Sequence, residues 1–266
     1  MKAAAFAYRR AESLGEAVSL LARNPDAKVM AGGQTLGPML NLRLAQPAEI
    51  VDITRIPELG ATSEAADGVT LGALVTHAAI EDGLAPDPTR GFLARVARGI
   101  AYRAVRTRGT VGGSLAHADP AADWLSCLTA LGAEVSIVGP GGRRRVPLQG
   151  FVRGPLDTDL AAGEILCAVH LPAFSAAASF GYVKFCRKDG EFADAIGAAL
   201  ADPSRGIFRL AASTTAGAPI VIEAHQPFAL EAIPALLDEA GSPGDGYERR
   251  LRATILKRAT TEAMGS

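Results

Sequence analysis

The first fifty residues contain one segment with apolar residues at helical spacing, followed by two short apolar runs. Residues 13–16, Ser-Leu-Gly-Glu, form a capping box, and the apolar positions after it predict a helix over residues 13–23. Two apolar runs of strand length follow at 28–31 and 49–53, and Pro38 favours a short helix between them. This order predicts a β-α-β unit at the start of the chain.

The middle of the chain mixes strand-like and helical patterns. Glycine and proline at 139–142 separate two strand-like runs and predict a hairpin. The apolar residues of the run at 121–131 are continuous enough for a buried helix. The predicted elements are a strand at 68–74, a helix from Thr76, helices at 92–100 and 121–131, hairpin strands at 134–138 and 143–148, and a strand at 164–171.

The stretch Phe-Ser-Ala-Ala-Ala-Ser-Phe, residues 174–180, consists mostly of small residues and is the best candidate for a linker. Strands and then helices are predicted after it, at 180–187, 195–201, 206–213, 228–239 and 247–264. This order is typical of a separate α+β unit. We therefore predict an α+β chain of two units, residues 1–175 and 176–266.

The composition is that of an ordinary globular protein. Of 266 residues, 48% are hydrophobic and 21% are charged, and the formal net charge of −1 gives no support for a nucleic-acid partner. The tightest basic run, residues 143–145, is interpreted as the solvated strand of a hairpin. No apolar run approaches eighteen residues, and the apolar start before Arg9 is too short for a signal peptide. We expect no membrane span and a cytoplasmic location.

The chain has three cysteines, Cys127, Cys167 and Cys186, and they are widely separated in sequence. Without a Cys-x-x-Cys pair, they do not have the spacing of a zinc site or of an iron–sulfur cluster held by this chain alone. Sparse, odd-numbered cysteines also suit a reducing compartment better than a disulfide framework.

Two glycine loops are the candidate ligand-binding segments: Ala-Gly-Gly-Gln-Thr at 31–35 and Thr-Val-Gly-Gly-Ser at 110–114. Consecutive backbone N–H groups without side chains can surround an anion, and neighbouring hydroxyls add donors. Either pair of glycines alone is more often a simple turn. The first loop lacks the lysine of a P-loop, and no Gly-x-Gly-x-x-Gly follows a strand, so a Rossmann site or an ordinary kinase is disfavoured.

Two aspartates follow the second loop. Asp119 precedes Pro120 and is predicted to cap a helix that begins at this proline. Asp123 lies one turn further, where its carboxylate either accepts hydrogen bonds from ligand hydroxyls or interacts with the helix N-terminus.

These segments resemble the flavoprotein, or medium, subunits of molybdenum hydroxylases of the carbon monoxide dehydrogenase and xanthine dehydrogenase family. The resemblance covers most of residues 1–200 and includes four motifs in the expected order. They are AGGQTLGPMLNLRLAQPAEIVDITRI (31–56), VTLGALVTHAAI (69–80), RGTVGGSLAHADPAAD (108–123) and YVKFCRKDGEFADAIGAAL (182–200). The resemblance implies a two-lobed FAD-binding domain of the vanillyl-alcohol-oxidase (PCMH) type, followed by a small α+β C-terminal domain.

The resemblance also implies the residues that bind FAD non-covalently. It places the FAD pyrophosphate on the first loop and the rest of the diphosphate and ribityl chain on the second, with Asp123 on a cofactor hydroxyl. Many relatives have Asn at the position of Ser114, so this contact is expected to be shorter or water-mediated. The implied cofactor-binding residues are Ala31, Gly32, Gly33, Gln34, Thr35, Thr76, Thr110, Val111, Gly112, Gly113, Ser114, Asp123 and Lys184.

Some residues near these motifs keep two interpretations. Lys184 either lies near the flavin ring or is a solvated surface lysine, and Phe192 either covers the ring or is an ordinary core aromatic. His77 and His117 flank the cofactor motifs, and neither is expected to bond covalently to the flavin.

By resemblance, the chain is an FAD-containing electron-transfer subunit with no catalytic residue of its own for an organic substrate. The implied partners are a small chain with two two-iron two-sulfur clusters and a large chain with molybdopterin, assembled as a dimer of heterotrimers. A stand-alone flavoprotein oxidase or reductase of the same fold and a scaffold subunit without cofactor are the alternatives. Neither the organic substrate nor the final electron acceptor follows from the sequence.

Overall fold

A parallel sheet opens the chain in the computed structural model, which describes residues 2–214 and 217–265. This part contains β1 (Ala7–Arg10), α1 (Leu14–Arg23), β2 (Lys28–Met30), α2 (Leu36–Asn41) and β3 (Glu49–Asp52). The strand order is β1-β3-β2, and β3 pairs in parallel with both neighbours. The predicted β-α-β unit is confirmed as β2-α2-β3, whereas β1 was not predicted.

The starts of α1 and α2 differ in detail from the predictions. The Ser13 hydroxyl accepts the N–H of Glu16 at 3.2 Å, as in a capping box, but the Glu16 carboxylate accepts the N–H of Glu12. Helix α2 begins at Leu36 rather than at Pro38. Proline is tolerated there because it occupies the third helical position, whose N–H has no partner within the helix.

An antiparallel sheet with helices on one face forms the middle of the chain. Its strand order is β4-β5-β10-β6-β7, and β8 pairs with β9 in a separate two-stranded sheet. The elements are a 3-10 helix (Pro57–Gly60), β4 (Thr62–Ala65), β5 (Gly68–Gly72), α3 (His77–Glu81), α4 (Phe92–Arg98), α5 (Arg103–Arg106), α6 (Val111–His117), α7 (Asp123–Ala130), β6 (Glu134–Gly139), β7 (Gly142–Pro147), β8 (Val152–Gly154), β9 (Asp157–Thr158) and β10 (Ile165–Pro172).

The main core lies between this sheet and its helices. Leu71, Ile137 and Val169 are buried on the inner face of the sheet and belong to the same cluster as Leu115 of α6 and Trp124 of α7. The α7 helix is buried along its whole length. The backbone at its N-terminus is therefore held in a fixed position by core packing.

The prediction that Asp119 caps a helix beginning at Pro120 is wrong. Helix α7 begins at Asp123, and the residue before it, Ala122, supplies no side-chain cap. Asp119 instead accepts the N–H of Ala121 at 2.9 Å in the turn before the helix. Asp and Asn make such local turns as readily as they cap helices, so the sequence alone did not distinguish the two.

A four-stranded antiparallel sheet and two helices form the C-terminal part. The elements are β11 (Ser179–Phe185), β12 (Ala195–Asp202), a 3-10 helix (Pro203–Arg205), β13 (Ile207–Thr214), β14 (Gly217–Ala224), a 3-10 helix (Leu230–Ala232), α8 (Ile233–Glu239) and α9 (Gly246–Met264). The sheet order is β11-β12-β13-β14. Leu256 and Ala259 of α9 are buried against Leu210 and Phe208 of the sheet. Strand β14 was not predicted.

The segment 174–180 packs against the middle part of the chain. The ring of Phe180 lies 5.1 Å from that of Phe174 and 5.4 Å from that of Phe92, measured between ring centroids. Ser175 also donates to the buried carboxylate of Asp202. The small residues thus connect two sheets without leaving them loosely tethered.

The basic run at 143–145 lies on β7, as predicted for a hairpin strand, and is paired with acidic side chains. Arg144 contacts Glu164 at 2.6 Å and Asp159 at 2.5 Å, and Arg145 contacts Glu134 at 2.6 Å. No helix in the described parts of the chain combines the length and apolarity needed to cross a membrane.

Candidate functional site

The first glycine loop, residues 31–35, leaves the carboxyl end of β2 and leads into α2. Gly33 has φ +70°, a left-handed conformation that glycine adopts without strain. Among residues 2–214 and 217–265, none accepts a hydrogen bond from the backbone N–H groups of Gly32, Gly33, Gln34 or Thr35. Four successive free donors, with no carboxylate in the loop, suit a diphosphate.

The second glycine loop, residues 110–114, is the first turn of α6 rather than an open loop. Thr110 caps the helix, and its hydroxyl accepts the N–H of Gly113 at 3.1 Å. The N–H groups of Val111 and Gly112 donate to Val75 and Ala73, each at 3.0 Å, and that of Ser114 donates to the carbonyl of Thr110. Because these amides are already paired, the two loops are not equivalent anion cradles, contrary to expectation.

The two loops are in direct contact although they are about eighty residues apart in sequence. The α-carbon of Gly32 lies so close to the carbonyl of Arg108 that a β-carbon would overlap it. A β-carbon on Gly113 would lie 3.6 Å from that of Ala31. Thr76 pairs with Thr110 in an isolated β-bridge. The fold therefore brings together the first loop, Thr76 and the start of α6.

Gly112 is required by protein packing. A β-carbon at this position would overlap the backbone and side chain of Ala73. Its backbone is helical, so positive φ is not the reason for glycine. The close approach of α6 to the segment after β5 explains this glycine without reference to a ligand.

His77 is buried below the second loop, with 5% of its surface exposed. Its Nδ1 atom accepts the indole N–H of Trp124 at 3.0 Å, and its backbone N–H donates to Gly109. Burial, reinforced by the nearby Arg106 guanidinium, lowers the pKa of His77 to about 4. The imidazole is therefore neutral near pH 7 and connects α3 to α7.

Asp123 and Lys184 form a buried ion pair. The Lys184 Nζ atom lies 3.1 Å from Asp123 Oδ1 and also donates to the carbonyl of Gly99 at 3.3 Å. Only 10% of the Lys184 side chain is exposed, so the interpretation as a solvated surface lysine is wrong. Burial raises the pKa of Asp123, and the Lys184 charge and the Tyr182 hydroxyl, which donates to the carboxylate, oppose this shift.

Tyr182 is a member of this cluster that sequence reasoning missed. It is two positions before Lys184 on β11, and alternate residues of a strand point to the same face. That periodicity was the available signal. The cluster is joined to the glycine loops through neighbouring residues, because Asp123 precedes Trp124 and Thr76 precedes His77.

The remaining candidates have different surroundings. Ser114 is half-buried one turn into α6, and His117 is half-buried at the last turn of the same helix. Phe192, in the segment between β11 and β12, is 68% exposed, so it is not a core aromatic.

Comparisons with known proteins agree with this architecture. Residues 4–174 match the family model described as FAD binding domain in molybdopterin dehydrogenase. The nicotine 6-hydroxylase medium subunit of Paenarthrobacter nicotinovorans is 38% identical over 192 residues, which cover 72% of this chain and 67% of that protein. The carbon monoxide dehydrogenase medium chain of Afipia carboxidovorans is 31% identical over 279 residues, covering 97% of this chain and 96% of that one.

Solved structures give the same result. A chain of carbon monoxide dehydrogenase from Hydrogenophaga pseudoflava, in a form lacking the Mo-pyranopterin moiety of its molybdenum cofactor, has a TM-score of 0.88 and 33% identity, with 99% of both chains covered. A chain of quinoline 2-oxidoreductase from Pseudomonas putida 86 has a TM-score of 0.85 and 31% identity, covering 99% of this chain and 98% of that one.

The chain therefore belongs to the family of FAD-binding domains of molybdopterin dehydrogenases. Within that family, it is a medium, FAD-binding subunit of the molybdenum hydroxylase type. The predicted family and fold class are confirmed. The free amides of the first loop are a donor set that fits the diphosphate of FAD.

Proposed function

We propose that this subunit transfers electrons through FAD, from iron–sulfur clusters of a small partner chain to an external acceptor. The organic substrate is oxidised on a large, molybdopterin-containing partner chain. The observation that carries the proposal is the match to a carbon monoxide dehydrogenase chain over 99% of both chains. When bound, FAD supplies the redox chemistry, and the protein supplies binding, orientation and electrostatics.

The first loop holds the FAD diphosphate in this proposal. The assignment is supported by the free backbone N–H groups of residues 32–35 and by the absence of negative charge from the segment Ala31, Gly32, Gly33, Gln34 and Thr35. The donors are arranged before the cofactor arrives, because α2 and β2 fix both ends of the loop.

The second loop contacts the cofactor chiefly through side chains and packed surface. Its backbone N–H groups are used within the protein, so Thr110 and Ser114 contribute their hydroxyls while Val111, Gly112 and Gly113 contribute shape. Thr76, bridged to Thr110, supplies a further hydroxyl at this edge of the site.

Asp123 and Lys184 act as one unit beside the cofactor. The ammonium is held by the carboxylate and by the Gly99 carbonyl, so its position is fixed on both sides. The pair introduces no net charge, which limits how far Lys184 alone stabilises a negatively charged reduced flavin.

The proposed partners are the small iron–sulfur subunit and the large molybdopterin subunit, in a dimer of heterotrimers. Cys127 lies in α7, Cys167 in β10 and Cys186 after β11, and within the described residues no group of three or more His, Cys, Asp or Glu side chains is arranged to hold a metal ion. Clusters would then belong to a partner chain. Sparse cysteines also support the proposed cytoplasmic location.

We also propose a division into units 1–175 and 176–266. The family match ends at residue 174, and the C-terminal sheet begins at Ser179.

The test begins with the isolated chain. It should bind FAD in a form released by acid precipitation, and it should show no turnover with aldehydes or azaheterocycles. A colourless chain that cannot be reconstituted with FAD would support the cofactor-free scaffold. Rapid substrate-driven bleaching of the isolated flavoprotein would support a stand-alone oxidase.

The second stage adds the partner chains. With both present, substrate should bleach the flavin absorbance. Omission of the small chain should abolish the bleaching, because electrons then lack a route to FAD. Bleaching that persists without the small chain contradicts the relay.

A further inference from the structure

The hydroxyl of Tyr182 connects two parts of the structure that the sequence separates. Tyr182 is on β11, in the C-terminal sheet, and its hydroxyl donates to Asp123 Oδ1 at the start of α7. Lys184, on the same strand face, contacts the same carboxylate. Phe180, two positions before Tyr182, packs on Phe92 of α4. Alternate residues of β11 thus form the contact with the helices.

The Asp123 side chain is 7% exposed, and its carboxylate depends on these partners. Lys184 Nζ approaches Oδ1 at 3.1 Å and Oδ2 at 3.3 Å. Tyr182 is the neutral side chain that donates to it. A buried carboxylate is costly unless it is both paired and hydrogen-bonded. Removal of the Tyr182 hydroxyl would leave Lys184 as the remaining side-chain partner among the described residues.

We propose that Tyr182 is a positioning residue of the FAD site: its hydroxyl holds the Asp123 carboxylate and, through it, the Lys184 ammonium in place across the contact between α7 and β11. This inference rests on the proposed function, which locates Asp123 and Lys184 at the cofactor. Tyr182 acts through these two charges and needs no contact with FAD.

The charged and titratable groups around the carboxylate determine what removal of the hydroxyl does. Lys184 and Tyr182 face it from β11, Cys127 lies one turn further along α7, and Arg95 of α4 and Cys186 lie beyond them. Without the Tyr182 donor, the pKa of Asp123, already raised by burial, moves further up. Once protonated, Asp123 no longer holds the ammonium.

The experiment compares Tyr182→Phe, which keeps the ring, with Tyr102→Phe, whose side chain is 58% exposed. The carboxyl titration of Asp123 is followed by carbon-13 NMR in the FAD-free chain, with Asp123→Asn identifying the signal. The dissociation constant of FAD is measured by flavin fluorescence between pH 5 and 8.

In Tyr182→Phe, the Asp123 midpoint should move to higher pH. FAD binding relative to wild type should weaken as the pH falls, on the order of tenfold for each unit by which the midpoint moves. Tyr102→Phe should match wild type in both measurements. An unchanged Asp123 midpoint, or an affinity loss equal at every pH, would overturn the proposal and indicate a packing role.

The two measurements separate this inference from the proposed function. A shifted midpoint together with wild-type FAD affinity in both Tyr182→Phe and Asp123→Asn would mean that the cofactor lies elsewhere, which overturns the assignment of Tyr182 to the FAD site. If Tyr182→Phe does not fold, 3-fluorotyrosine in the wild-type chain provides a second test. Its more acidic hydroxyl is a stronger donor, so the Asp123 midpoint should fall, and a constant midpoint would again overturn the proposal.

Discussion

Trp124 donates its indole N–H to Nδ1 of His77 at 3.0 Å, and this bond joins the two groups of candidate site residues. Thr76 and the glycine loops lie on the His77 side, and Asp123 lies on the Trp124 side. The bond requires the imidazole to be unprotonated at Nδ1, so the geometry of the site is linked to the charge of one buried histidine.

Stability should therefore depend on the protonation of His77. Its pKa falls from 6.5 in the unfolded chain to about 4 in the fold, so the unfolded chain binds more protons between these values. The neutral imidazole makes its full contribution to the free energy of unfolding above about pH 6.5. This contribution, about 3 kcal/mol in total, is lost as the pH falls towards 4. Denaturant unfolding of the wild type and of His77→Asn, whose amide oxygen can still accept from Trp124, measures it.

The difference between the two unfolding free energies should be constant above pH 6.5, and the wild type should lose stability relative to His77→Asn as the pH falls towards 4, because only the wild type has an imidazole to protonate. Other groups titrate in both proteins, so their contributions cancel when one unfolding free energy is subtracted from the other. A difference independent of pH would show that His77 is not the group responsible.

Gly33→Ala tests the first glycine loop. The position has φ +70°, where a β-carbon costs roughly 1–2 kcal/mol, but this β-carbon would make only an ordinary contact with the Met30 side chain, at 3.7 Å. The loop should therefore reorient its amides without disturbing the core, and FAD affinity should fall on the order of tenfold. Gly15→Ala, on the surface of α1 with no neighbouring atoms, is the matched control and should bind FAD normally. Equal FAD affinities in Gly33→Ala and Gly15→Ala would show that this loop does not bind the diphosphate.

Gly112→Ala should affect folding rather than cofactor binding alone. The added methyl overlaps Ala73, and overpacking of this kind typically costs about 1–3 kcal/mol. Thermal unfolding of the FAD-free chain should show the loss, with Gly37→Ala, where α2 leaves open space, as the control. If stability were unchanged and FAD binding were lost, Gly112 would face the ligand instead.

Ser126→Ala should stabilise the chain. Ser126 is fully buried in α7, and its hydroxyl has no hydrogen-bond partner among the described residues. Removal of an unsatisfied hydroxyl and gain of helix propensity should add about 1 kcal/mol. Ser213→Ala is the contrasting variant, because that buried hydroxyl accepts the N–H of Ile196 at 2.7 Å. Its free energy of unfolding should fall by about 1–3 kcal/mol. A stabilised Ser213→Ala together with a destabilised Ser126→Ala would contradict this explanation.

The sequence predicted elements well where periodicity and turn residues agree. The α1 helix, the β6-β7 hairpin and the long α9 helix follow their patterns closely. Strand β1, by contrast, is four exposed residues held by pairing with β3, and no local pattern reports a partner forty residues away. Tertiary pairing, rather than propensity, determines such strands.

The candidate site, too, was predicted where local sequence patterns suffice and not where tertiary contacts decide. Both glycine loops were recognisable in sequence. In the folded chain, however, the backbone N–H groups of the first loop are free, whereas most of those in the second donate to other residues of the protein. The partnership of Asp123 with Tyr182 and Lys184 joins positions about sixty residues apart, so neither spacing nor composition predicts it.

The contact of Gly32 with the Arg108 carbonyl has a consequence for the kinetics of cofactor uptake. Because the two glycine loops pack directly against each other, they have little conformational freedom to lose when FAD binds. The entropic penalty from loop ordering is therefore small. Uptake of FAD should then follow a single step whose rate scales linearly with cofactor concentration, without a slow closure phase.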